Sequence, residues 1–405
     1  MNIIRGSFDL MKQMNISVIM GLIRSKGPIS RAEIANLSGL TPASVSKISK
    51  KLIKMGLIKE IGLGESTGGR PPVYLVFNPK AGYIISINIS AGYIEIMISD
   101  LQAEMIEKKK RTIIGKTEDV VIQELYELLN LIIVENSIEI EKIFGIGMAV
   151  HGIVNPKNGI SIYAPYYNWK NLKIREIIEQ EFNIPVFIDN DVRCMALAEK
   201  WFGIAKHIDD FIILYIGDVV GAGIVNNGKL YYGKDYSAGE IGHITIDTNG
   251  PKCSCGNYGC LQSIASNSAM VNSAKLALRT GEKSIINDII EENLIDVNME
   301  VVIQAAEMED RVAINILEEC AKYLGIGIAD LINILNPEMI VLAGKITEIP
   351  NIFREYMEDM ISNKVVNYSK EKAQIEMSNL GEDAALIGGA TLVLKQLFEG
   401  RVKEA

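Results

Sequence analysis

Three of the five cysteines, Cys253, Cys255 and Cys260, fall within eight residues, and His243, one of only three histidines, stands ten positions before the first of them. Three thiolates and one imidazole complete the tetrahedral donor set that zinc takes in closed structural sites. Gly256 and Gly259 let the chain turn tightly between the ligands. A disulfide is the competing reading, with free core cysteines as a third. A disulfide calls for an oxidising compartment, and no secretory pattern opens the chain, because Arg5 and Asp9 interrupt its first ten residues. No apolar run approaches the ~18 residues that a membrane-spanning helix needs, so a soluble cytoplasmic protein is expected. Cys194 and Cys320 have no partner spacing and read as buried apolar residues.

A second constellation is Ile188-Asp-Asn-Asp191, at the end of a strand starting near Pro185 and at the head of a helix toward Trp201. Carboxylate and amide groups at the C-terminal end of a strand can hydrogen-bond vicinal hydroxyls of a small ligand. Helix capping by Asn190 or Asp191 is the alternative use of the same residues.

Alternating apolar positions predict strands at Tyr83 to Ile89, Tyr93 to Ser99 and Met105 to Ile113, a helix from Glu118 to Val134, and a strand at Phe144 to Val150. A comparable order recurs after residue 210, with strands at Phe211 to Ile216, Ala222 to Val225 and Glu338 to Leu342. Residues 81–200 and 201–405 thus read as two α/β lobes, with a cleft between lobes as the place for a small ligand and a C-terminal helix that could return to the first lobe.

Charge separates the first eighty residues from this body. They carry 12 Lys and Arg against 4 Asp and Glu, whereas the remainder carries 29 against 46 within an overall net charge of -9. A basic module on an acidic body implies a nucleic-acid partner for the module alone. Its pattern agrees: a helix from Phe8 to Lys26, a capping box at Ser30-Arg-Ala-Glu33, a Gly39-Leu40 turn, and a second helix from Thr41 with Pro42 at its first position. Two short helices joined by a glycine turn make a helix-turn-helix. The second would enter the major groove by its N-terminal end, presenting Ala43, Ser44, Ser46, Lys47 and Lys50, with Val45, Ile48, Leu52 and Ile53 facing the core. Strands at Leu57 to Ile61 and Val73 to Phe77 would flank a wing whose Arg70 could reach a minor groove. A helical protein-interaction module with a flexible hairpin is the alternative.

Together these motifs resemble the ROK family of repressors and sugar kinases, through Gly147-Met-Ala-Val-His-Gly-Ile-Val154, Asn190-Asp191, Gly239-Glu-Ile-Gly-His243 and the cysteine cluster. The resemblance implies an α/β fold in which a winged helix-turn-helix over 1–80 precedes a two-lobed, actin-like ATPase domain. It also implies His243, Cys253, Cys255 and Cys260 as zinc ligands, and Gly152, Asn190, Asp191, Glu240, His243 and Gln262 as sugar contacts. Asp191 matches the catalytic base of the family's kinases and is read here as a hydroxyl acceptor only. Gln262 stands where the family usually has Glu.

The kinase parts depart from the family pattern. The Asp-x-Gly-Gly-Thr phosphate loop is replaced by Asn88-Ile-Ser-Ala-Gly92, the second glycine-rich segment reads Gly217-Asp-Val-Val-Gly221, and the adenosine-side glycines are reduced to Ala343-Gly-Lys345. An acidic side chain where phosphates need room opposes binding, so neither ATP nor catalysis is expected. The expectation is a sugar-responsive repressor that acts as a homodimer or higher oligomer on operator DNA. Its wing is closest to the xylose-repressor type, which puts xylose before glucose, N-acetylglucosamine or a disaccharide. The alternatives are a sugar kinase with an appended DNA-binding domain and a ligand-independent DNA-binding or scaffold protein.

Overall fold

The computed structural model describes residues 8–63, 72–291, 293–348, 351–366 and 373–399. Arg70 and the tip of the expected wing lie outside the described residues.

At the N-terminus α1 (Phe8–Lys26) buries Ile16, Ile19, Met20 and Ile23. The capping box opens α2 (Arg31–Ser38): Ser30 Oγ accepts from the Glu33 amide at 3.2 Å, and Glu33 Oε2 accepts from the Ser30 amide at 2.8 Å. Gly39 ends α2 in a left-handed conformation, and Thr41 Oγ1 accepts from the Ser44 amide at 3.2 Å to start α3 (Pro42–Lys54). Val45 and Leu52 are buried and Ile48 and Ile53 half-buried, as their spacing predicts, but Ser49 is fully buried as well. Helical period assigns a face without saying which polar residue will sit on it. Strands β1 (Ile29–Ser30), β2 (Ile58–Leu63) and β3 (Val73–Phe77) form a small antiparallel sheet in the order β1-β3-β2.

The chain divides into two compact units, residues 1–189 with 386–405, and residues 190–385. In the first, β4 (Tyr83–Ser90), β5 (Tyr93–Ser99), β6 (Met105–Thr112), β7 (Ile143–Val150) and β11 (Val186–Asn190) pair in the order β11-β7-β4-β5-β6. Strand β4 runs antiparallel to β5 and parallel to β7. Helix α4 (Glu118–Glu135) buries Leu125, Leu128, Leu129 and Ile132 in the same apolar core as Ile85, Ile87 and Ile96 of the sheet. A three-stranded insertion, β8 (Ile153–Asn155), β9 (Ile160–Ala164) and β10 (Trp169–Leu172), follows β7 and leads into α5 (Ile174–Phe182).

The second unit repeats the plan. Helix α6 (Asp191–Trp201) precedes β12 (Phe211–Ile216), β13 (Val220–Asn226) and β14 (Lys229–Leu230); much later come β15 (Met339–Gly344) and β16 (Gln374–Met377). Their order is β14-β13-β12-β15-β16, with β12 antiparallel to β13 and parallel to β15. Numbered within each half, leaving out the insertion, both sheets have the order 3-2-1-4-5, which is the duplicated actin-like scaffold. Helices α7 (Leu261–Ala265), α8 (Asn267–Arg279), α9 (Ile286–Ile289), α10 (Met299–Glu307), α11 (Arg311–Leu335) and α12 (Asn351–Lys364) stand between its strands in sequence.

The last helix, α13 (Ala384–Phe398), packs with the first unit from Leu386 onward. Its Gly389 meets Gly147 of β7 so closely that a Cβ on Gly147 would lie 1.8 Å from the Gly389 carbonyl oxygen. Only a glycine pair permits that backbone approach. At the far end the Phe398 ring lies 5.5 Å from that of Phe77 on β3, and the Arg24 guanidinium of α1 lies 5.5 Å from the Phe398 ring.

Candidate functional site

The four zinc candidates converge. One donor atom from each of His243, Cys253, Cys255 and Cys260 lies within 4.8 Å of the others. Cys255 and Cys260 sulfurs are 3.7 Å apart, and the Cys253 sulfur is 3.6 Å from His243 Nδ1. A tetrahedron with metal–sulfur bonds of about 2.3 Å and metal–nitrogen bonds of about 2.1 Å has edges of about 3.8 Å and 3.6 Å. Two of the six separations therefore already match zinc spacing, and the rest lie within 4.8 Å. A disulfide would bring two sulfurs to about 2.05 Å, and none of the five cysteines forms one.

Backbone bonds shape this knuckle. The Cys253 amide donates to the Asn257 carbonyl at 2.8 Å, and the Gly256 amide to the Cys253 carbonyl at 3.0 Å. Gly259 has φ +65, and a Cβ there would sit 1.5 Å from the Asp247 carbonyl oxygen, so no other residue fits. Cys260 is fully buried and passes directly into α7, whose Leu261 packs on α11 at Gly327. Burial pushes the Cys260 thiol up to about 12, so a neighbouring cation is what would let it serve as a thiolate. With Nδ1 turned to the cysteines, His243 Nε2 lies 4.0 Å from Glu240 Oε2. The two ring nitrogens thus serve different neighbours.

Asn190 is the N-cap of α6. Its Oδ1 accepts from the Arg193 amide at 3.0 Å and its Nδ2 donates to Asp191 Oδ1 at 2.8 Å. Asp191 Oδ1 also accepts from the Val192 amide at 2.9 Å. Capping and ligand contact are therefore not exclusive uses of this pair. Helix α6 lies on β13, where a Cβ on Gly223 would come 2.7 Å from the Val192 carbonyl oxygen. The edge of β13 holds the Gly239–His243 segment: the Ala222 amide donates to the Gly239 carbonyl at 2.8 Å. Gln262 Oε1 accepts from the Val220 amide at 3.2 Å. Asn190, Asp191, Glu240, His243 and Gln262 are thus all built around one strand of the second unit. Gly152 belongs to the first unit, where its φ of +96 ends β7 beside Tyr163.

The turns at Ser90–Gly92 and Gly217–Gly221 and the end of β15 hold the protein's own groups. In the first unit the Gly92 amide donates to Tyr167 Oη at 3.1 Å, and the same hydroxyl donates to the Ser90 carbonyl. Asn88 is buried and donates to Glu95 Oε2 at 3.4 Å, while Lys110 lies 3.2 Å from Glu95 Oε1. In the second unit the Asp218 carboxyl is pushed up, first by burial and then by Glu300. Lys345 pairs with Glu300 at 3.1 Å, Glu382 at 3.1 Å and Glu348 at 3.3 Å.

Of the candidate DNA contacts, Ala43, Lys47 and Lys50 are exposed on α3 and Ser44 and Ser46 are half-buried.

A model of the ROK family matches residues 84–396, more than three quarters of the chain. The chain belongs to the ROK family. A model described as a winged helix-turn-helix, DNA-binding, matches residues 18–59. Among ROK relatives, a xylose repressor of Caldicellulosiruptor bescii is 35% identical over 97% of this chain and 98% of its own. The DNA-binding transcriptional dual regulator NagC of Escherichia coli K12 is 32% identical over 98% of this chain and 96% of its own. A solved ROK family transcriptional regulator, a homolog of E. coli MLC protein, superposes with a TM-score of 0.87 at 32% identity, over 97% of this chain and 98% of that one.

Reading residues one by one missed three features of this ROK chain: Tyr167 beside the Gly92 turn, the carboxylates around Lys345, and Arg193. Only the Lys345–Glu348 pair, three residues apart, has a partner within reach of a local reading.

Proposed function

We propose that this chain is a sugar-responsive, DNA-binding transcriptional repressor of carbohydrate-utilisation genes. The observation that carries the reading is the combination, along one chain similar end to end to repressors, of a capped helix-turn-helix with a sugar-kinase-like body whose phosphate-side turns hold internal partners. Helix α3 offers Ala43, Ser44, Ser46, Lys47 and Lys50 to the major groove, and Arg70 is a further candidate DNA contact. Two such modules matched to operator half-sites call for a homodimer or a higher oligomer. Among the described residues no helix is long and apolar enough to cross a membrane.

The ligand in this reading is a neutral sugar. Asp191 and Glu240 accept hydrogen bonds from its hydroxyls, Asn190 and Gln262 complete the contacts, and His243 presents Nε2 to a hydroxyl. A charged acceptor contributes about 1.5–3 kcal/mol per hydrogen bond, sufficient to orient a sugar without chemistry. His243, Cys253, Cys255 and Cys260 would hold a zinc ion that staples the Glu240-bearing segment and has no Lewis-acid task. Xylose is the first inducer to test, in keeping with the name of the C. bescii relative.

Kinase activity is outside this reading. An acidic Asp218, a Gly92 amide given to Tyr167, and a Lys345 surrounded by glutamates all disfavour a triphosphate. Calorimetry of the zinc-loaded protein against a sugar panel, paired with operator gel shifts, tests the proposal. Sugar binding that releases DNA is expected. ADP formation from any aldose, abolished by Asp191→Asn, would overturn the non-enzymatic reading.

A further inference from the structure

Arg193 is 2% exposed and third in a nine-residue run of buried side chains that starts at Asp191. A guanidinium removed from water needs acceptors or an aromatic face in place of hydration. It has both: Nη1 donates to the Tyr236 carbonyl at 2.8 Å, and its central carbon lies 5.1 Å from the centre of the Tyr232 ring. The Tyr232 and Tyr236 rings meet edge to face at 6.1 Å, and the Ala238 amide closes the loop on the Tyr232 carbonyl at 3.2 Å.

Tyr236 has φ +62, a left-handed backbone that a bulky residue rarely adopts unless its surroundings hold it there. The hydrogen bond that Arg193 gives it is one such hold. Four residues on stands Glu240, and seven on stands His243. At its other end Arg193 is fixed by Asn190, whose side chain accepts from the Arg193 amide at 3.0 Å. One residue therefore touches the capping pair through its backbone and the segment leading to Glu240 through its side chain.

We infer that Arg193 is a positioning residue, a latch setting the Asn190–Asp191 pair against the Tyr232–His243 segment, so that sugar affinity depends on a guanidinium that itself contacts no sugar. This rests on the sugar-binding reading above. The latch is tested in the full-length, zinc-loaded protein with D-xylose, D-glucose and N-acetyl-D-glucosamine as probes. Arg193→Met is expected to weaken binding of the sugar that the native protein takes by about tenfold or more. It should also speed amide exchange over residues 231–238, with exchange over 253–262 and the zinc content unchanged. Arg193→Lys, which keeps one donor for the Tyr236 carbonyl, should recover part of the affinity. Should Arg193→Met fold poorly, Tyr232→Leu removes the aromatic face under Arg193 while keeping the guanidinium and its bond to the Tyr236 carbonyl, and should weaken binding by a smaller factor in the same direction. A native protein that takes a sugar, beside an Arg193→Met protein with the same affinity and the same exchange over 231–238, overturns the latch alone. Faster exchange spread over β12 and β15 in both Arg193 variants makes the residue a support of the fold and also overturns it. A native protein that binds none of the three sugars removes the underlying reading and the latch with it.

Discussion

The two halves share one sheet order and differ in the segments inserted after their strands. After β7 the first unit inserts β8–β10, an apolar piece that buries Trp169 and brings the Tyr167 hydroxyl onto the Ser90–Gly92 turn. After β14 the second inserts the Gly239–Cys260 segment, with its charged, thiol and imidazole donors. The scaffold is duplicated but the insertions are not, and the insertions decide the chemistry. One half closes its Ser90–Gly92 turn with a phenol, whereas the other builds a metal-ready knuckle next to the strand around which its candidate ligand contacts stand.

Cys260→Ser gives the largest expected effect of this difference, since it removes a fully buried donor from the knuckle. Bound zinc should fall from about one per chain to about a tenth of that or less, and sugar response should disappear. Elemental analysis beside calorimetry reads both, and retained zinc with retained response would mean that the cluster is not a metal site. Tyr167→Phe is the counterpart in the first half. It leaves the ring in place and strips the Gly92 amide and Ser90 carbonyl of a shared partner, so stability should fall by about 1–3 kcal/mol in urea unfolding. Zinc content should not change; if it did, the two insertions would not be separate devices.

Legibility follows the same division. The knuckle could be read from the chain because its four donors span eighteen positions, and spacing within a short segment constrains geometry directly. The caps at Ser30 and Thr41 were legible for the same reason, each bond reaching only three residues along. The Tyr167 clamp joins positions 75 and 77 residues apart, and two of the carboxylates around Lys345 come from the distant residues 300 and 382. No local period encodes such meetings; they exist only once the sheets have formed. Ser49 is the opposite failure, a local polar residue that helix packing carries into the core.

The smallest expected effect concerns how each half treats its acids. In the first unit Lys116 and Arg111 hold the Glu124 carboxyl below the usual range, whereas in the second burial pushes Glu199 up, although the Ser378 hydroxyl and the Ile204 amide both donate to it. For Glu199 the folded value is above the unfolded one, so below the ordinary glutamate range both states hold the proton and nothing is lost. As pH rises through that range the unfolded chain releases its proton first, and folding stability falls until the folded group has ionised too. Glu199→Gln, which keeps an acceptor and cannot ionise, removes this slope. Its stability relative to the native protein should therefore climb from about pH 4 upward and level off, at no more than about 1.4 kcal/mol per pH unit for one proton. Urea unfolding of both proteins across that interval measures the difference. A difference that stayed flat, or fell as pH rose, would show that the two donors outweigh burial and that Glu199 behaves like the ion-paired acids of the other half.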